Sequence, residues 1–134
     1  MKKTLFFLLT SIAAANFHAQ VDVAATSGTG TATYTTLKGA FDAINAGTHQ
    51  GAINIIITAN TTETASAVLN ASGGTASYTS ILVKPAAATT PTISGNIAAG
   101  TLIKILGSNV TLDGSNAVAE IFHRDTEVDS VQED

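Results

Sequence analysis

Apolar side chains at Leu37, Ala40, Phe41 and Ile44 recur at i, i+3, i+4 and i+7, which places them on one face of a helix. Thr35 or Thr36 supplies the N-cap, and Gly47 the C-terminal stop. The charged residues Lys38 and Asp42 fall at i, i+4 on the opposite side, as an ordinary surface pair does. After Gly51 the period drops from 3.6 to 2. Ile53, Ile55 and Ile57 alternate with Asn54, Ile56 and Thr58, and the same alternation returns at Ile81–Lys84, at 103–106 and at 110–113. Each run predicts a short strand.

Between these runs lie turn-forming residues, among them Asn70-Ala71-Ser72-Gly73-Gly74, Pro85 to Pro91, Ser94-Gly95-Asn96 and Gly107-Ser108-Asn109. No helical pattern intervenes. Strands that return parallel without helices do so most simply by winding as a solenoid, in which each coil stacks about 4.8 Å above the last. The strand starts support that reading: Ile53 to Ile81 is 28 residues and Ile81 to Ile103 is 22, both inside the 20–50-residue range of repeat architectures. The expected fold is therefore mainly β, the start of a right-handed parallel β-helix with one N-terminal amphipathic capping helix. A β-sandwich of hairpins is the alternative, disfavoured by long loops and by the lack of two-residue hairpin turns outside the Leu106-Gly107-Ser108-Asn109 connection. Val21 to Thr33, rich in Thr, Gly, Ser and Ala, reads as a flexible lead-in.

The N-terminus changes the picture of where the chain works. Lys2 and Lys3 precede a short apolar run from Leu5 to Ile12, and small residues follow at Ala13–Ala15 and Ala19. This is the pattern of a secretory signal peptide over residues 1–20, cleaved after Ala15, Ala19 or Gln20. The apolar run falls short of the roughly 20 residues that a membrane span needs, so no span is expected after cleavage. Localisation is expected to be secreted, extracellular or at the cell surface. The 134-residue chain has no cysteine, which removes lipobox lipidation and disulfides as means of anchoring or stapling it. About 114 residues remain after cleavage, enough for one domain of modest core. With aromatics at only 5%, thin repeated layers suit the composition better than a bulky globular core. Charge is uneven: residues 120–134 hold six acids against Arg124 alone, whereas residues 21–119 are nearly neutral. An acidic, disordered tail is expected over 119–134. No cluster of Lys and Arg exists to neutralise phosphates, which excludes a nucleic-acid partner.

The runs Tyr34–Asn45, Ile81-Leu82-Val83-Lys84-Pro85 and Gly107-Ser108-Asn109-Val110-Thr111-Leu112-Asp113-Gly114 together resemble the start of pectate-lyase-like right-handed β-helix domains. More narrowly, they resemble the N-terminal region of large secreted or surface repeat proteins of gliding-type Gram-negative bacteria, many of which end in a type IX secretion sorting domain. The resemblance implies that the helix caps the open end of the solenoid, that residues 34–118 form the first two to three coils, and that further coils follow. Here the pattern is replaced from Ala119 by Ile121-Phe122-His123-Arg124 and the acidic end. The chain is accordingly expected to be a truncated or frame-shifted fragment.

Candidate chemistry is sparse. Lyases of this fold need acidic ligands for a cation and a Lys or Arg base, because removing a proton beside a uronate carboxylate requires charge neutralisation next to a strong base. On the predicted coils the ionisable residues are Lys84, Lys104 and Asp113. The two lysines would stack one coil apart, either as a solubilising face or as a carbohydrate-facing pair. Asp113, in a Leu-Asp-Gly turn, either bonds its own backbone or binds a cation. His49 and His123 have no acids at ligand spacing, His18 lies at the cleavage boundary, and no catalytic triad, zinc motif or phosphate loop can be assembled. No catalytic residue, metal or cofactor is assigned. The expected function is a non-catalytic structural or adhesive module that presents a Thr/Ser/Asn-rich surface to carbohydrate or to a cell-surface protein. The alternative is part of a carbohydrate-active lyase or hydrolase, disfavoured because residues 50–116 hold only Glu63, Lys84, Lys104 and Asp113.

Overall fold

A computed structural model of the chain describes residues 18–115. The signal peptide expected over residues 1–20 lies outside the described residues up to residue 17, and the disordered tail expected over 119–134 lies outside them entirely. Among the described residues nine strands and one helix follow in the order β1 (Val21–Gly28), β2 (Thr31–Tyr34), α1 (Leu37–Asn45), β3 (His49–Ile57), β4 (Thr61–Glu63), β5 (Ala67–Leu69), β6 (Tyr78–Pro85), β7 (Ile93–Gly95), β8 (Ile103–Ile105) and β9 (Val110–Leu112). They form three sheets, ordered β2-β1-β3-β6-β9, β4-β7 and β5-β8.

The chain visits these sheets in a repeated order. β3, β4 and β5 each begin one sheet's parallel pairing, and β6, β7 and β8 return to the same sheets in the same sequence before β9 re-enters the first. The register is Ile53↔Ile81↔Val110 in the first sheet, Thr61↔Ile93 in the second and Ala67↔Ile103 in the third. The architecture is thus mainly β with one helix. Ile103 does not continue the row of Ile53 and Ile81, as the 22-residue spacing suggests; it pairs with Ala67, and Val110 continues that row instead. An apolar alternation marks a strand but not the sheet it joins, because register depends on distant partners.

The inward positions form one core. Ile53, Ile55, Ile57, Ile81, Val83, Ile93, Ala67 and Leu69 are buried, together with Leu37, Ala40, Phe41 and Ile44 from α1. The helix therefore seats the predicted face on the sheets, packing chiefly against β5. At its start the Thr36 side chain accepts from the Gly39 N–H at 3.0 Å. At its end the Thr48 N–H bonds Ala43 O and the Gly47 N–H bonds Ile44 O, with Gly47 at φ 76°, which is a Schellman cap. A Cβ at Gly47 would meet Thr75 O at 2.8 Å, so glycine is required there on both counts. Lys38 and Asp42 form the expected surface ion pair.

Residues 21–33 are not a flexible lead-in. Val21 and Val23 are buried, and β1 lies between two antiparallel neighbours, Val21↔Tyr34 in β2 and Val21↔Ile57 in β3. Small residues with weak local preference become a strand here because both backbone edges find partners and every second side chain reaches the core.

One inward polar atom is left over. Thr61 Oγ1 is buried and has no hydrogen-bond partner. Thr61→Val keeps the shape and removes the unpaired hydroxyl, so it is expected to stabilise the fold by about 1 kcal/mol. A rise in the thermal midpoint would show it, and a fall would mean that the hydroxyl is satisfied.

Candidate functional site

The first sheet brings charged residues together on its outer face. Across β2, β1, β3 and β6 the register aligns Thr33, Asp22, Ile56 and Lys84, all pointing away from the core because their neighbours Val23, Ile55, Ile57 and Val83 point in. Asp113 extends this row: its N–H bonds Val83 O at 2.8 Å, just past β9. Lys84 and Asp113 line one shallow depression with Ile56, Pro85, Ala86, Ala87 and Ser115. On the other side of Ile56 a second depression is lined by Asp22, Ala24, Thr31 and Thr33. Ile56 thus lines both hollows, whose walls mix apolar and polar side chains, with one cation and two carboxylates along the row.

The Ser115 hydroxyl, and then the Ser115 N–H at 2.8 Å, hold the Asp113 carboxyl below its ordinary value, with a smaller contribution from Lys84. A carboxyl so held stays ionised and accepts hydrogen bonds rather than releasing a proton near neutrality. It suits binding of hydroxyl or cationic groups better than general-acid work.

Of the three sequence-predicted site residues, the fold brings Lys84 and Asp113 together and separates Lys104 from both. Lys104 sits on β8, paired with Val68 of the third sheet, and faces a different depression with Ser66, Gly100 and Thr101. The expected stacking of Lys84 on Lys104 is therefore corrected: the row above Ile56 continues through Lys84 to Asp113, because Ile81 pairs with Val110, 29 residues on, and not with Ile103, 22 residues on.

Three polar residues to which the sequence pattern assigns no role, Glu63, Asn45 and His49, do structural work. Glu63, 1% exposed, accepts from the N–H groups of Leu37 at 2.8 Å and Lys38 at 3.0 Å. The first turn of α1 carries no acid of its own, so β4 supplies the negative charge that a helix N-terminus favours. At the other end of α1, the Asn45 side-chain amide donates to Val68 O at 2.8 Å and accepts from the Asn70 N–H at 2.9 Å. It occupies the edge of β5 much as a neighbouring strand would. His49 is fully buried; its Nδ1 lies 2.6 Å from Thr29 O and its Nε2 2.7 Å from the Tyr34 hydroxyl. A carbonyl only accepts, so Nδ1 carries the proton in that bond. Burial raises the Tyr34 hydroxyl above its ordinary value. The only sequence signal for Glu63 was its i, i+2 spacing from Thr61 in an Asn-bounded run, a weak one because both inward residues are polar.

Among the described residues no group of three or more His, Asp or Glu could hold a metal ion, and no helix is long and apolar enough to cross a membrane. No protein-family model, curated protein or solved structure matches this chain.

Proposed function

We propose that this chain is the capped N-terminal part of an exported, right-handed parallel β-helix that serves as a non-catalytic structural or adhesive module. Its surface is offered to carbohydrate or to a cell-surface protein. The observation that carries the reading is the repeated visiting order of the three sheets, with each later strand parallel to its predecessor. In a wound chain this order stacks like residues outward, as in Thr62 over Ser94, whose side-chain oxygens are 3.4 Å apart. The row Asp22–Ile56–Lys84–Asp113 offers hydroxyl-binding groups beside an apolar contact, the combination that a sugar ring or a peptide uses.

Binding of the purified mature chain to arrayed glycans and to bacterial surface polysaccharides tests this reading. Binding reduced at least fivefold by Lys84→Ala with Asp113→Asn, and unchanged by Lys104→Ala, is the expected outcome. Release of new reducing or unsaturated sugar ends from any polysaccharide, lost in the same double variant, would establish an enzyme and overturn the proposal.

A further inference from the structure

Resting on the carbohydrate-binding reading above, we infer that the hollow on the outer face of β1 and β2 is a subsite for a protonated amine, so that the carbohydrate taken up along the Asp22–Ile56–Lys84–Asp113 row is a polymer of amino sugars. Val21 and Val23 of β1 are buried, so Asp22 and Ala24 lie on the outer face. Asp22 pairs with Thr33 of β2 and Ile56 of β3, and Ala24 pairs with Thr31 and Asn54. Thr31 and Thr33 are exposed on the same side. Ala24 brings a single methyl group to this block, and its larger neighbours stand around it. The result is the hollow lined by Asp22, Ala24, Thr31, Thr33 and Ile56. Two hydroxyls lie on its β2 side, the carboxylate in the middle and the isoleucine on its β3 side.

Asp22 brings a charge to this hollow that no neighbour balances. Among the described residues neither an ion pair nor a side-chain hydrogen bond engages its carboxylate. Lys84, the cation of the row, lies two strands away, about 10 Å at the spacing of paired strands. It shares its own hollow with Asp113, and its charge helps to hold that carboxyl below its ordinary value. The row therefore runs carboxylate, apolar, cation, carboxylate, and the carboxylate left over is Asp22. The complementary ligand group is a cation. A protonated amine donates several hydrogen bonds, which suits a carboxylate beside two hydroxyl oxygens, and a charge-assisted bond is about twice as strong as a neutral one. Ile56 offers apolar surface to the C–H face of a sugar ring. An acidic sugar would set like charge against Asp22, and an N-acetylated one would bring no charge. A lysine side chain of a partner protein supplies the cation without the ring hydroxyls that Thr31 and Thr33 can meet.

The test sets the mature chain against one ligand in two forms, a glucosamine oligomer with free amines and the same oligomer N-acetylated, at a pH that keeps the amines protonated. By titration calorimetry the free-amine form is expected to bind roughly tenfold more tightly, the margin of a charged hydrogen bond over a neutral one. Asp22→Asn is expected to erase that preference and Asp22→Glu to keep most of it. Ala24→Leu fills the floor of the hollow and is expected to weaken binding of the free-amine form about fivefold or more, by steric clash. Both positions face away from the core, so the thermal midpoint is expected to stay where it is. Equal binding of the two oligomers, an amine preference that survives Asp22→Asn, or lysine oligomers that bind as tightly as the amino sugar overturns the inference. Binding of neutral or acidic glycans that depends on Lys84 and Asp113, with no preference for amines, leaves the adhesive reading in place and removes the amino-sugar subsite alone.

Discussion

Phe41→Ala is expected to lower the stability of the folded chain by about 3–5 kcal/mol, the cost of removing a fully buried aromatic side chain and leaving a cavity behind it. Phe41 is 0% exposed, as are Leu37, Ala40 and Ile44 beside it. These four side chains are what the helix contributes to the core above β3, β4 and β5. Deleting the ring removes the largest of them and uncovers part of the first isoleucine layer. Denaturant unfolding monitored by circular dichroism measures the effect. A shift in midpoint without a change in slope is the expected form, since the loss is of packing rather than of the extent of folding. A loss below about 1 kcal/mol would mean that the helix does not pack its apolar face on the sheets, because so small a value belongs to a half-exposed site.

Glu63→Ala is expected to cost about 2–4 kcal/mol, through a different mechanism. The carboxylate is buried, and among the described residues the one ion pair, Lys38 with Asp42, does not include it. Its charge is balanced by two N–H groups at the start of α1. Taking it away leaves the Leu37 N–H without its acceptor in the interior and removes the strand-to-helix tie. Glu63→Gln keeps the volume but turns one of the two acceptors into a donor that faces an N–H, so it is expected to recover less than half of the loss. Hydrogen exchange at Leu37 and Lys38 distinguishes this from a general destabilisation: these amides should lose protection before those of β3 and β6. Equal protection in wild type and Glu63→Gln would remove Glu63 from the capping role.

The two substitutions separate what was legible in the residues from what was not. Phe41 was readable because a helix is local. Its period, its N-cap at Thr36 and its stop at Gly47 all fall within a dozen residues, and the interactions that specify it span three or four positions. The strands β3 and β6 were readable for a similar reason, since Ile53, Ile55 and Ile57, then Ile81 and Val83, show which side faces inward. Turn residues marked the breaks between strands, and the composition set the modest size of the core.

What tertiary structure alone decided is everything that depends on a partner far along the chain. β1 has no local signature beyond Val21 and Val23, and it is a strand because β2 and β3 pair with its two edges. Ile103 looks like the next member of the Ile53 and Ile81 row, yet the turns between strands carry it into the third sheet and leave the place to Val110. The same pairing decides that Lys84 meets Asp113 and not Lys104. Glu63 and Asn45 act 26 and 25 residues from the groups they satisfy, with no hydrophobic pattern to announce them. A side chain's face is set by the period of its own segment. Its neighbour is set by how the whole chain returns, and in this protein the charged row and the Glu63 contact with the start of α1 both depend on that return.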